Sequence, residues 1–146
     1  MVKVLEEVTS GEMTPEHVKR RVDDWVQRVK GLYSRIESWL PSGWDAEQGR
    51  STRMHAELMR QVKLGPRSLP LLDIFRDRVR RATIEPRGLW IIGANGRLDL
   101  TTEKDHFVII DAADNFEPPD WQIAPFSNRT DLKALDRESL LSILSK

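Results

Sequence analysis

The chain of 146 residues carries 23 basic and 23 acidic side chains, so its formal net charge is zero, and hydrophobic residues make up 39% of it. That size holds one domain with its own core, that composition lies outside the disordered and low-complexity classes, and a neutral molecule has no global field to draw it to nucleic acid or an anionic membrane. With no cysteine, disulfides, thiol nucleophiles, thiolate zinc sites and iron–sulfur clusters are excluded. The expectation is a single domain over residues 1–146 in the cytoplasm. Residues 1–13 read as a flexible or loosely attached segment, and Glu6 and Glu7 break any apolar run of signal-peptide length there. No stretch approaches membrane-span length, so no membrane partner is expected.

The first strong signal lies between Thr14 and Pro41. Thr14 suits an N-cap, Pro15 the first helical position, and Glu16 the positive end of the helix. Val18, Val22, Trp25, Val29, Leu32, Ile36 and Trp39 then alternate spacings of four and three, which predicts one apolar stripe on a helix of about 25 residues. Such a helix is about 37 Å long, whereas four strands span only about 15 to 20 Å. A helix crossing them would overhang, so the stripe, with Trp25 and Trp39 as anchors, is a candidate seam for a second copy or another protein. The competing reading is burial against this chain's own sheet.

Residues 41–50 read as a loop anchored by Trp44. Ser51 or Thr52 then suits the cap of a second helix bearing Met54, Leu58 and Val62, which Gly65 and Pro66 end. Between Leu71 and Arg81 a strand is expected, with Arg76, Arg78 and Arg80 in a row on one face. That row could grip phosphates or an acidic protein, since arginine presents a planar fork to either; Arg81 and Arg87 extend it, and the alternative is a solvated sheet edge. Asn95-Gly96, flanked by apolar runs, predicts a hairpin with a type I′ turn that pairs Ile92 with Asp99. Leu98 and Leu100 then face one way, Arg97 and Asp99 the other. A turn at residues 103–105 leads into Phe107–Asp111, an apolar strand expected to be covered on both faces, so that helices sandwich the sheet. Trp121 to Ile123 suits an edge strand, and Asp136 caps a last helix.

Asp99 and Asp111, on neighbouring strands, give a layout that resembles the PD-(D/E)XK nuclease core over Gly96 to Ala113. The resemblance implies two carboxylates holding a divalent metal that activates water. Where that family places a lysine two positions after the second carboxylate, this chain has Ala113, and residues 115–119 cannot form the helix that should follow. If Arg97 faces Asp111 across the strands, the carboxylates share a face and Arg97 forms a cross-strand charge pair there; a one-residue shift puts the two carboxylates on opposite faces. His17, His55 and His106 are isolated, Asn128-Arg-Thr130 is a bare glycosylation pattern, and no motif for a cofactor or metal is present.

The sequence therefore predicts an α+β domain, with a long N-terminal helix and a shorter second helix packed on an antiparallel meander of four to six strands, and a C-terminal helix. The expected function is non-catalytic binding through protein–protein contact, as a homodimer or with another protein. The alternative is a nucleic-acid-binding or nuclease-like protein using Asp99, Asp111 and the basic row.

Overall fold

A computed structural model describes residues 14–90 and 94–145. The expectation for residues 1–13 lies outside the described residues. Helix α1 runs Pro15–Trp39, with Thr14 accepting from the His17 N–H at 3.1 Å and Leu40 closing the end. The stripe read from its spacing is a core. Val18, Val22, Trp25, Val29 and Ile36 have no exposed surface and Leu32 has 1%. Trp39 is half-buried and packs against the same cluster, with the Arg35 guanidinium 5.5 Å from its ring.

After α1 the chain forms β1 (Trp44–Glu47), β2 (Ser51–Met54), the short helix α2 (Glu57–Gln61), β3 (Arg67–Pro70), β4 (Leu72–Arg76), β5 (Val79–Gly88), β6 (Arg97–Thr102), β7 (His106–Asp111), β8 (Trp121–Pro125), a 3-10 turn at Phe126–Asn128, β9 (Lys133–Ala134) and helix α3 (Arg137–Leu144). Strands β1, β4, β5, β6, β7, β8 and β9 make one seven-stranded antiparallel sheet in that order, and β2 pairs with β3 as a separate ribbon. The ribbon continues the β1/β4 pair beyond an irregular break, where the Leu71 N–H reaches the Arg50 carbonyl at 2.9 Å. Seven strands span about 29 Å, nearly twice the width expected from the sequence. The sheet therefore covers the helix, and the stripe offers no uncovered seam of the kind the overhang argument required.

Register fixes which side chains share a face. Leu72, Ile84, Leu100 and Phe107 form one cross-strand row, and Pro86, Leu98, Ile109 and Ile123 the next. Both rows look toward α1, and residues from α1, α2 (Met59) and α3 (Leu140, Leu144) join their side chains in one cluster. Among the described residues the helices lie on one face of the sheet, so the expected sandwich by helices is one-sided, although Val108 on the far face of β7 is also buried. On that face the 3-10 turn lies against β7, where the Phe126 ring stacks on His106 at 4.3 Å. Tyr33, buried against the sheet, donates its hydroxyl to the Pro70 carbonyl at 2.7 Å, and burial pushes that phenol far above its ordinary range.

Three local expectations are corrected. Residues 51–54 are strand rather than the start of the second helix, because they complete the ladder with Arg67–Pro70. Leu71–Arg81 is not one strand but a hairpin, in which Asp77 and Arg78 (φ 50° and 69°) form the two-residue turn between the paired Arg76 and Val79. Two central residues with positive φ make this a type I′ turn. Asn95-Gly96 is not such a turn: Asn95 lacks a positive φ, and β6 pairs with β5, so Asp99 lies opposite Glu85 instead of Ile92. Asn95 is instead tied to the end of β7, its N–H donating to the Asp111 carbonyl at 2.8 Å, and the expected strand over Ile91 and Ile92 lies outside the described residues. Gly96 (φ 125°) lies under the Trp25 ring, where a Cβ would come within 2.2 Å of Cζ3. Core packing, not turn chemistry, sets its conformation.

Candidate functional site

Asp99 and Asp111 do not converge. The β6/β7 register pairs Asp99 with Val108 and Arg97 with Ile110, one residue away from the pairing that would have set Arg97 opposite Asp111. Asp111 therefore points toward α1 and Asp99 away from it. Asp111 is fully buried and accepts from Arg28 Nη1 at 2.7 Å, the Ala113 N–H at 3.0 Å and the Asp120 N–H at 2.9 Å. Arg28 also donates to Asp24 and to the Glu117 carbonyl. Asp111 is thereby a buried clamp that fastens the 112–120 segment to the helix. Arg21 extends the cluster by donating to Asn95 Oδ1 at 2.9 Å, and burial lowers its guanidinium to about 10. Among the described residues no group of three or more His, Asp or Glu side chains could hold a metal ion.

The far face of the sheet is different in kind. Its rows are Glu47, Asp73, Thr83, Thr101 and His106, then Glu85, Asp99, Val108 and Ala124, then Arg97, Ile110 and Gln122. An antiparallel sheet with one solvated face tolerates such polar rows. Here they are organised around two buried carboxylates.

Asp73, 5% exposed, holds Arg50 through Nε at 2.9 Å and Nη2 at 2.6 Å and accepts from the Thr83 hydroxyl at 2.7 Å. Arg50 is the main cause that holds the Asp73 carboxyl below its ordinary value, and the same bond raises Arg50. Arg80 approaches Asp73 only to 4.0 Å. Asp99, 9% exposed, accepts from Arg97 Nε at 2.9 Å and lies 3.0 Å from His106 Nε2. It faces Glu85 directly across the strands, an unfavourable like-charge pair. Arg87 spans the two, 3.6 Å from Glu85 and 3.7 Å from Asp99.

The row predicted from alternation is thus redistributed. Arg80 reaches this face, Arg78 sits in the turn at the hairpin tip, and Arg76 lies 5.6 Å over the Trp44 ring. Arg50, Arg97 and His106 take the places that Arg76 and Arg78 were expected to fill. Sequence reasoning passed over Arg50 because it closes an apparent loop and meets Asp73 only through a pairing 23 residues apart. His106 carried a usable signal: a polar residue at the start of an apolar strand, beside a turn.

A concavity of about 510 Å³ lies between α1 and residues 116–121, with Leu32, Phe116, Pro118 and Trp121 among its walls. Gly31 lines it, with no atom within 4 Å of its Cβ position. Its buried charge, Arg28, already donates from all three nitrogens to Asp24, Asp111 and Glu117. No helix of the described residues is long and apolar enough to cross a membrane. Comparison with protein families, with curated proteins and with solved structures returned no match for this chain.

Proposed function

We propose that this chain is a non-catalytic binding module of the cytoplasm that acts through protein–protein contact on the open face of its sheet. The observation that carries the reading is the arrangement of Arg50, Arg80, Arg87 and Arg97 above Asp73 and Asp99. Each buried carboxylate is shared by more than one cation, so guanidinium edges are left toward solvent in a fixed geometry. Arginine held this way is favoured at protein interfaces, where its fork meets partner carboxylates with little further loss of side-chain freedom. The helix stripe, by contrast, is consumed by the core, so a second copy would have to use another surface. Against a nuclease-like activity stands the placement of Asp99 and Asp111 on opposite faces.

Calorimetric titration of the protein with octaglutamate and with octalysine tests the reading. Octaglutamate should bind, and about ten-fold more weakly at about 200 mM salt than at about 50 mM, because exposed ion pairs are screened. Absence of binding, or equal affinity for octalysine, contradicts it. A protein that sediments as a salt-sensitive dimer, with the dimer lost on Arg97→Glu, would make the partner a second copy.

A further inference from the structure

Resting on the open-face reading, we infer that the concavity beside Arg50, Arg80 and Arg81 receives carboxylate side chains from an extended acidic segment of a partner protein. The hollow has a volume of about 500 Å³ and is walled by those arginines with Thr83, Thr101 and Thr102. A β-bulge builds it. The β4/β5 register shifts between Ile74 and Phe75, which pair with Ala82 and Arg80, so Arg81 is an extra residue without a partner in β4. Consecutive strand residues ordinarily point to opposite faces, and a bulge re-aims one of them. Both Arg80 and Arg81 consequently reach the same hollow.

The charge balance inside it is uneven. Asp73 engages Arg50 through Nε and Nη2, and the Arg50 side chain, which lines the hollow, is 50% exposed. Arg80 contacts Asp73 only at 4.0 Å, and Arg81 forms no ion pair among the described residues. Glu85 is drawn to Arg87 at 3.6 Å, which leaves Glu103 at the rim as the remaining acidic wall residue. Three guanidinium groups thus line the hollow against two glutamates, one of them engaged by Arg87, while the buried Asp73 holds Arg50 from outside it, and a guanidinium fork matches a carboxylate geometrically.

A protein segment suits this hollow better than a nucleic acid does. Glu85 and Glu103 interrupt the cations and would repel a continuous phosphodiester chain, and no aromatic ring lines the hollow to stack a base. Phe75, paired with Arg80 across β4 and β5, is the adjacent aromatic on this face and is not among the walls of the hollow, and Phe126, farther along, is already flanked by His106 and by Arg129, each 4.3 Å from its ring. An extended peptide projects alternate side chains to one side about 6.7 Å apart, so carboxylates at alternate positions can enter between the interrupting glutamates.

Anisotropy of fluorescein-labelled octaglutamate at about 50 mM salt tests the assignment. The double substitution Arg80→Glu, Arg81→Glu should weaken binding at least about ten-fold, and Arg80→Gln, Arg81→Gln less steeply, with unchanged circular dichroism. Arg97→Glu, farther along the face, should weaken it less than about three-fold. If Arg97→Glu weakens binding and the double variant does not, the open-face reading stands and this hollow is not the site. If none of these variants weakens binding, or octaglutamate does not bind, both readings fall. Tighter binding of an eight-nucleotide thymidine strand than of octaglutamate overturns the acidic protein segment as the occupant.

Discussion

Replacing Gly96 with alanine should cost about 3 kcal/mol, more than a loop glycine normally carries. Two effects add. At φ 125° an L residue is strained, at about 1 to 2 kcal/mol. The new Cβ would also stand 2.2, 2.5 and 2.6 Å from Trp25 Cζ3, Cη2 and Cε3, whereas carbon atoms rest at about 3.5 to 4.0 Å. The Trp25 ring has no exposed surface and lies 6.1 Å from Trp121, tilted at 48°, so it cannot swing clear without disturbing its neighbours. Overpacking of this type costs about 1 to 3 kcal/mol. Urea denaturation followed by circular dichroism measures the sum, and a double-mutant cycle separates the parts. In a Trp25→Leu background the smaller side chain removes the clash, and Gly96→Ala should cost only the conformational part, about 1 to 2 kcal/mol. A penalty that is the same in both backgrounds would show that Trp25 does not lie on Gly96, and a penalty below about 1 kcal/mol in the wild type would refute the strained backbone as well.

The two aspartates that a nuclease-like pair would make equivalent should behave very differently. Asp111→Ala leaves Arg28 buried beside a lost partner and should cost about 3 to 5 kcal/mol, whereas Asp99→Ala on the open face should cost about 1 kcal/mol or less, both by chemical denaturation. At the hairpin tip, Asp77→Asn with Arg78→Gly places the preferred type I′ pair on residues that already have positive φ; the unfolding free energy should rise by about 1 kcal/mol, and a fall would mean that the turn is of another type. Because Arg50 depresses the Asp73 carboxyl below 3.8, the ionised form favours folding, and its contribution is present above that value and lost as pH falls through the lower folded value. The stability difference between wild type and Asp73→Asn should therefore shrink below about pH 4, and a constant difference down to pH 2.5 contradicts the pairing.

The first and last helices were legible because their determinants are local. Thr14, Pro15 and the 3.5-residue spacing bound α1, and Asp136 with Ser139 forms the capping box that starts α3. The meander from β6 to β8 was legible from apolar runs and turns. What failed were steps that depend on distant pairing. Nothing near Trp44 or Lys133 announces a strand, since four and two residues carry little periodicity and gain their hydrogen bonds from β4 and β8. Missing them narrowed the expected sheet, which in turn left the α1 stripe without a cover and suggested a dimer seam. The Asn95-Gly96 signal was genuine chemistry in the wrong place, because Gly96 answers to Trp25, 71 residues earlier in the chain, and the I′ turn fell to Asp77 and Arg78, whose residue types only half suit it. The arginine face was partly visible. The arginine run stands out in the sequence, but one bulge and one register step decide which arginines meet which carboxylates.

Amide hydrogen exchange with and without octaglutamate tests the binding face most directly, because it reports location and not affinity alone. Protection should concentrate in β5 and β6, over residues 79–88 and 97–102, and reach Arg50 and the 102–105 turn. Protection confined to α1 and residues 114–121 would move the binding surface to the opposite side of the sheet and contradict the account.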